Sequence, residues 1–195
     1  MFKKAIYLFM IVFILIIMAF PAQRALASTY MVWNTNDSGN GSLRWAITQA
    51  NSNAGNDTIT FFVSGTIYLA SALPDLTDTA GVTIDGGGSI TIDGGSSVGI
   101  GLYSDSSQNN VIKNLTIQNF SVAGIEFLTY TSGTDGNHVV NNVTVSNCAT
   151  GILIYNGTGV QVINSTISSN SDYGIDVQWY SGVPQVTLTT NSVSH

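Results

Sequence analysis

The chain has 195 residues, of which 44% are hydrophobic and only 8% are charged, and its formal net charge is −6. Such an acidic chain lacks the basic surface that nucleic acids require, which argues against that class of partner. Cys148 is the only cysteine, so an internal disulfide is excluded. No His or Lys stands beside it in the sequence, and we therefore predict a buried structural thiol rather than a nucleophile.

The beginning of the chain has the pattern of a secretory leader. Lys3 and Lys4 precede an apolar run of 16 residues from Ala5 to Phe20, and Ala25-Leu26-Ala27 supplies the small residues of a cleavage site before Ser28. The run is shorter than the roughly 20 residues that a membrane-spanning helix needs. A cleaved signal peptide, and hence a secreted or cell-surface protein, is therefore favoured over an uncleaved membrane anchor.

A short strand over Tyr30–Trp33 and a helix over residues 42–51 are predicted next. Ser42 is suited to the N-cap of this helix. An apolar stripe with helical spacing follows it, formed by Leu43, Ala46, Ile47 and Ala50. These elements predict a cap that covers the open hydrophobic end of the repeat region that follows in the chain.

Two series of short alternating segments repeat along the rest of the chain. The first comprises Gly-Ile pairs spaced by 25, 27 and 23 residues, which begin at Gly99, Gly124, Gly151 and Gly174. The second comprises pairs of Thr or Ser followed by Ile or Val, and successive pairs are 25, 28, 22 and 26 residues apart. These pairs begin at Thr91, Thr116, Thr144, Thr166 and Ser192. Such segments are typical of strands, and this period predicts a solenoid whose stacked coils bury each other's apolar faces.

Aligning the four Gly-Ile segments on their glycines gives inward and outward columns of side chains. The inward column contains Ile100, Ile125, Ile152 and Ile175. The outward side aligns Glu126 with Asp176 and Tyr103 with Tyr155. Asparagines between the strands are interpreted as corner residues that form stacked amide ladders, although eight N-glycosylation sequons leave glycan attachment open.

The cap sequence resembles a known family. Residues 34–47, NTNDSGNGSLRWAI, and the runs Val82-Thr83-Ile84-Asp85-Gly86 and Ile90-Thr91-Ile92-Asp93-Gly94 are similar to secreted and cell-surface right-handed β-helix proteins of the pectin-lyase-like superfamily. The resemblance implies an all-β fold, a right-handed parallel β-helix with a short N-terminal capping helix. It implies no single activity, because the superfamily contains lyases, hydrolases, epimerases and adhesins.

Three regions are therefore predicted. They are a signal peptide (residues 1–27), an N-terminal cap of strand and helix (28–62) and parallel β-helix coils (63–195). Removal of the leader leaves two cationic side chains, Arg44 and Lys113, against 11 acidic ones, a net charge of −9. The chain ends within a repeat, without a closing cap, so the coils are expected to continue in a longer protein.

The resemblance also implies which catalytic groups to seek. Polysaccharide lyases of this fold use a Lys or Arg base beside carboxylate-bound Ca²⁺, but Arg44 lies in the predicted helix and Lys113 at a corner between coils. Calcium is therefore expected only if the chain is lyase-like, and no other cofactor or metal is predicted. Asp85 and Asp93 each begin an Asp-Gly-Gly turn, which explains them without a metal. The Asn-Thr-Asp, Asp-Asp, Gly-His-Gly and Arg-Ile-Lys motifs of the glycoside hydrolases do not occur.

Glu126 and Asp176 are the candidate catalytic pair that remains. Two coils apart in one column, their backbones are expected to be roughly 10 Å apart, and inverting glycosidases separate their carboxyl groups by about 6.5–9.5 Å. The alternative is two solvated carboxylates on a strand face.

Exposed aromatic rings are a second candidate feature, because they offer sugar rings an apolar surface with a polar tip. The candidate carbohydrate-binding residues are Tyr103, Tyr130, Tyr155, Trp179 and Tyr180. The alternative is that these rings pack loops against the coil wall.

The favoured function is a non-catalytic extracellular β-helix module that binds polysaccharide or a cell-surface glycan, with a membrane reached only through the leader. The alternative is the N-terminal part of a polysaccharide-degrading enzyme, pectate-lyase-like or a glycoside hydrolase. Its site would lie at Glu126 and Asp176 or beyond residue 195.

Overall fold

The computed structural model describes residues 26–105, 107–129, 136–180 and 185–194. Of the predicted leader, only Leu26 and Ala27 are among the described residues. The candidate residue Tyr130 lies outside them. In the described ranges, no helix has the length and apolar character needed to cross a membrane.

One helix and fifteen strands make up the described part of the chain. The helix is α1 (Leu43–Ser52). The strands are β1 (Thr29–Val32), β2 (Asp57–Phe61), β3 (Gly65–Tyr68), β4 (Val82–Asp85), β5 (Ile90–Asp93), β6 (Ile100–Asp105), β7 (Val111–Gln118), β8 (Ala123–Leu128), β9 (Val139–Ser146), β10 (Thr150–Tyr155), β11 (Val160–Ile163), β12 (Thr166–Ser168), β13 (Tyr173–Gln178), β14 (Val186–Thr189) and β15 (Ser192–Ser194).

Parallel pairing stacks these strands into about six coils with three faces. The first face has the order β1-β2-β4-β7-β9-β11-β14. The long strands β7 and β9 continue into the second face, where β3, β5, β12 and β15 pair with them and with one another. The third face is a separate sheet of order β6-β8-β10-β13. The predicted parallel β-helix is confirmed, and its first face already begins with β1 and β2 in the predicted cap.

The second repeat series is confirmed in its register. Thr91 pairs with Thr116, which pairs with Thr144, and Thr144 pairs with Thr166. The residue after each threonine points into a buried column of Ile92, Ile117, Val145 and Ile167. Burial of such branched side chains contributes about 1.5–3 kcal/mol each, so the column is a principal source of stability.

Asparagines occupy the corners, as predicted. Left-handed backbone, with φ from 51° to 61°, is found at Asn109, Asn114, Asn119, Asn137, Asn142, Asn147, Asn156 and Asn164. The Nδ2 of Asn142 donates to Asn114 Oδ1 at 2.9 Å, and Asn114 Nδ2 donates to Asp85 Oδ1 at 2.8 Å. A side-chain ladder therefore crosses three coils at the corner between the first and second faces.

The predicted capping helix is also confirmed. The hydroxyl of Ser42 accepts a hydrogen bond from the Trp45 backbone N–H at 3.2 Å. The four residues of the predicted apolar stripe are fully buried. The Arg44 guanidinium contacts Asp37 Oδ1 at 2.7 Å and the Ser71 carbonyl oxygen at 2.9 Å, so it joins the helix to the loops on both sides.

The first repeat series needs one correction. Leu102, not Ile100, pairs with Ile125, so the earliest segment is shifted by two residues and Gly101 rather than Gly99 lies opposite Gly124. A Cβ on Gly101 would overlap the Gly124 carbonyl oxygen, whereas one on Gly99 would meet only a Val122 methyl at 3.7 Å. Close backbone approach therefore fixes the glycine column as Gly101, Gly124, Gly151 and Gly174.

Candidate functional site

The outward side of the third face carries four of the predicted site residues, namely Tyr103, Glu126, Tyr155 and Asp176. Strand pairing aligns Tyr103, Glu126, Leu153 and Asp176 in one column, and Asp105, Leu128, Tyr155 and Gln178 in the next. These two columns are called the outer columns below. They alternate along each strand with the inward residues of the core, such as Ile125 and Phe127, which are fully buried.

The predicted alignment of Tyr103 with Tyr155 is wrong. Because the first segment is shifted by two residues, Tyr103 lies opposite Glu126, and Tyr155 lies opposite Leu128. The two tyrosines therefore belong to different outer columns.

The predicted alignment of Glu126 with Asp176 is confirmed. Both pair with Leu153 of β10, so two strand spacings, roughly 10 Å, separate their backbones. Asp176 Oδ2 accepts a hydrogen bond from Gln178 Nε2 at 2.5 Å. Burial raises the pKa of the Glu126 carboxyl above its ordinary value. The aliphatic Leu153 side chain between them offers no polar group to orient an attacking water.

Three aromatic rings gather where strands β10 and β13 end. The rings of Tyr155 and Tyr180 meet edge to face, with centroids 5.6 Å apart and planes at 63°. The Tyr180 backbone N–H donates to Asn156 Oδ1 at 2.7 Å, which anchors the residue. Trp179 is 56% exposed and Tyr180 84% exposed. Tyr155, Trp179 and Tyr180 are called the aromatic edge; of the two other predicted rings, Tyr103 lies in an outer column and Tyr130 lies outside the described residues.

The basic groups lie elsewhere. Lys113 Nζ contacts Asp85 Oδ2 at 3.2 Å on the first face, and Arg44 is engaged in the cap. His138 is buried, stacks on Phe127 and accepts a hydrogen bond from the Asn110 backbone N–H on Nδ1 at 3.2 Å. Burial lowers the pKa of His138 to about 4, so the imidazole is neutral near pH 7.

The other predicted polar residues have structural contacts. Asp85 and Asp93 accept hydrogen bonds from the Gly87 and Gly95 backbone N–H groups at 3.1 and 2.8 Å, which confirms the turn interpretation. Cys148 is buried, as predicted, and burial raises the pKa of its thiol. Among residues 26–105, 107–129, 136–180 and 185–194, no three His, Cys, Asp or Glu side chains are placed to hold a metal ion.

Sequence reasoning missed one exposed ring near the site. Tyr173 begins β13 and is 57% exposed, although its partner in the neighbouring coil is Thr150. The sequence held one signal for this ring. The residue directly before the column glycine is Ala123 and then Thr150 in the two preceding coils, whereas it is the much larger Tyr173 in this coil.

Comparison with known proteins agrees with the architecture. The model of a protein family described as "Right handed beta helix region" matches residues 80–195, more than half of the chain. The search of curated proteins found no match to this chain. The match is consistent with the pectin-lyase-like resemblance of the cap. Together with the three-faced parallel solenoid, it establishes that the chain belongs to the right-handed β-helix family.

Proposed function

We propose that this chain is an extracellular β-helix module that binds a polysaccharide along the outer columns and does not cleave it. The observation that carries the proposal is the aromatic edge, where two rings stay largely exposed at the end of a regular strand array. Sugar rings stack on exposed aromatic faces, and strands spaced by about 4.8 Å present an extended, straight surface to a linear chain.

The charge of the outer columns favours a neutral glycan. Asp105, Glu126 and Asp176 are their ionisable acids, and the cations Arg44 and Lys113 are paired elsewhere. An acidic polymer such as polygalacturonate would be repelled by these carboxylates and by the net charge of the mature chain. A neutral polymer can form hydrogen bonds with the hydroxyl, amide and carboxylate groups of the outer columns, and it does not experience that repulsion.

The same arrangement supports binding over bond cleavage. A glycosidase needs one carboxyl group to protonate the leaving oxygen and a second to activate water or attack the sugar. Asp176 is tied to Gln178, and Leu153 lies in the space between the carboxylates. A lyase needs a basic group at the substrate, but Lys113 lies on another face and His138 is buried.

Calorimetric titration of the processed chain tests the binding. Neutral xylan, mannan and β-glucan are compared with polygalacturonate and alginate at low and high salt. We expect saturable binding of a neutral polymer that is insensitive to salt. The absence of binding to every neutral polymer would overturn the proposal, as would a preference for acidic polymers that disappears at high salt.

A second candidate, glycoside hydrolysis, is favoured by one observation. Burial raises the pKa of Glu126, which is a property of general acids in glycosidases. The test incubates the same polymers with the chain and measures new reducing ends, with Glu126→Gln and Asp176→Asn as variants. Release of products that both variants abolish would replace the binding proposal with this one.

A further inference from the structure

The start of β1 is held by a buried carboxylate. The Ser28 backbone nitrogen donates to Asp57 Oδ1 at 2.6 Å, and Asp57 is fully buried. The Ser28 carbonyl oxygen accepts a hydrogen bond from the Thr58 backbone N–H at 2.8 Å. Both polar backbone groups of Ser28 are therefore fixed by β2.

The end of the capping helix meets the same carboxylate. Asn53, the C-cap of α1, donates from Nδ2 to Asp57 Oδ1 at 2.9 Å and to Ser28 Oγ at 3.1 Å. Asp57 thus joins the beginning of β1, the end of α1 and the first strand pair of the solenoid. A contact at this point affects the whole cap.

The negative charge at this place has no cationic side chain beside it. The ion pairs between side chains in the described ranges join Arg44 to Asp37 and Lys113 to Asp85, and Asp57 belongs to neither. Asp78 is also buried, and its Oδ2 has no hydrogen-bond partner in the part of the chain that the structure describes. Burial raises the pKa of Asp78, as does the charge of Asp57 nearby, although the Ala80 N–H opposes this. Burying a carboxylate costs free energy, and a nearby positive charge offsets that cost.

The predicted leader ends at this nitrogen. The small-residue pattern Ala25-Leu26-Ala27 places the cleaved bond between Ala27 and Ser28. Leu26 and Ala27 are exposed, and β1 begins only at Thr29, so cleavage leaves the sheet intact. Hydrolysis by a leader peptidase adds one water, breaks the Ala27–Ser28 C–N bond, and leaves a carboxylate on Ala27 and an amine on Ser28 that takes up a proton.

We propose that the α-ammonium group created on Ser28 by removal of the leader is the counter-ion of Asp57, so that processing locks the N-terminal cap. The amide N–H donates one hydrogen bond to Asp57, whereas the ammonium supplies a full positive charge and three donors at the same place. The inference depends on the predicted cleavage site and not on polysaccharide binding.

The pH dependence follows from the groups that face this nitrogen. Asp57 on β2 contacts it directly, Asp78 on the loop before β4 interacts electrostatically with Asp57, and Asn53 at the end of α1 is neutral. Two carboxylates favour the protonated amine, which raises its pKa above the value of about 8 of a free chain. The ion pair then stabilises the fold fully below pH ~8, and this contribution is lost as the pH rises through the higher pKa of the folded state.

The small number of amines makes the test direct. After processing, the chain contains two, the α-amine of Ser28 and the ε-amine of Lys113. The full chain is secreted, its N-terminal residue is identified by mass spectrometry, and the folded protein is acetylated at pH 7 under limiting reagent. A free α-amine reacts faster than a lysine, because its pKa is lower. We expect this preference for the α-amine to shrink here, with Ser28 labelled at least ~10-fold more slowly than in Asp57→Asn, which corresponds to a pKa higher by one unit.

Two further chains separate the ion pair from general stability. Asp172→Asn removes an exposed carboxylate at the other end of the solenoid and should leave Ser28 labelling unchanged. A mature chain that retains Ala27 keeps the Ser28 N–H but moves the amine to an exposed residue. That amine should react like a free one, and the loss of thermal stability between pH 8 and 10 should disappear. If Asp57→Asn does not fold, the comparison of the wild-type protein with this extended chain tests whether the Ser28 ammonium pairs with Asp57.

Either of two results would overturn the proposal. One is a mature chain whose first residue is not Ser28. The other is a Ser28 amine that reacts as fast in the wild-type protein as the Ala27 amine does in the extended chain.

Discussion

The His138 imidazole lies face to face with the Phe127 ring, with centroids 4.3 Å apart and planes within 4° of each other. Both residues are inside the solenoid, and the Nδ1 of His138 accepts a hydrogen bond from the Asn110 backbone N–H. The imidazole must therefore be neutral on Nδ1 in the folded state. A proton there would remove the acceptor and place a charge against an aromatic core.

Acidification is expected to destabilise the protein through this residue. Burial lowers the pKa of His138 from 6.5 to about 4, so the neutral imidazole stabilises the fold fully above pH 6.5 and this contribution is lost as the pH falls towards 4. The difference corresponds to roughly 3 kcal/mol. Thermal unfolding measured from pH 7 to pH 4.5 should show a falling Tm before most carboxylates titrate.

The matched variant is His138→Asn, which keeps an acceptor near the Nδ1 position but does not titrate. Its Tm should be lower than that of the wild type at pH 7 and nearly constant down to pH 4.5. An equal fall of Tm in both proteins would assign the acid sensitivity to other groups.

Asn110 is expected to be essential for a buried polar network. Its Oδ1 accepts from the Val82 N–H at 2.8 Å, and its Nδ2 donates to the hydroxyls of Ser104 and Ser107 at 3.0 and 2.7 Å. Asn110→Ala would leave the buried Val82 N–H unpaired, at about 1–3 kcal/mol, and would leave the two hydroxyls, 2.8 Å apart, with only each other as partners. We expect a Tm roughly 10 °C lower by calorimetry, whereas Asn40→Ala in the exposed cap loop should leave Tm unchanged.

The glycine column provides a prediction with a built-in control. Gly101→Ala would force a methyl group onto the Gly124 carbonyl oxygen, whereas Gly99→Ala would meet only ordinary contact distances. We expect Gly101→Ala to lower the free energy of unfolding by about 1–3 kcal/mol in urea titrations, in the range of overpacked cores. Equal stabilities for the two variants would mean that the register of β6 on β8 is not the one described.

Substitution of the aromatic edge should weaken polysaccharide binding selectively. Trp179→Ala and Tyr180→Ala each remove an exposed ring, and we expect about tenfold weaker binding, or ~1.4 kcal/mol, in the calorimetric titration. Tyr68→Ala is the control, because Tyr68 is equally exposed but lies on β3 of another face. A loss of affinity in Tyr68→Ala that equals the loss in Trp179→Ala would move the binding surface away from the third face.

Much of the fold could be predicted from the sequence, because a repeated apolar position is a strong signal in stacked strands. Thr91, Thr116 and Thr144 appear in register as their spacing indicated. The alignment of Gly99 failed because two glycines stand two residues apart in Gly99-Ile100-Gly101, and only the close approach to Gly124 distinguishes them. That contact joins separate coils and has no sequence signature of its own.

The candidate site was less predictable for a related reason. The alignment of Glu126 with Asp176 depends on a repeat that is regular in that part of the chain, and it was confirmed. The edge-to-face contact of Tyr155 with Tyr180 depends on how the chain turns after β13, where Asn156 holds the Tyr180 N–H. The burial of His138 likewise depends on the stack with Phe127, eleven residues earlier in the chain.

The variation in repeat spacing is greatest at one corner of the solenoid. Between the third and the first face the chain uses residues 106–110, 129–138, 156–159 and 179–185, so successive turns differ greatly in length while the strands on both sides keep their register. The glycine column and the ladder of Asp85, Asn114 and Asn142 lie away from these turns and do not depend on their lengths. The architecture and the proposed binding surface can therefore change independently: insertions or deletions at this corner would reshape the border of that proposed surface, next to Tyr180, without a new core.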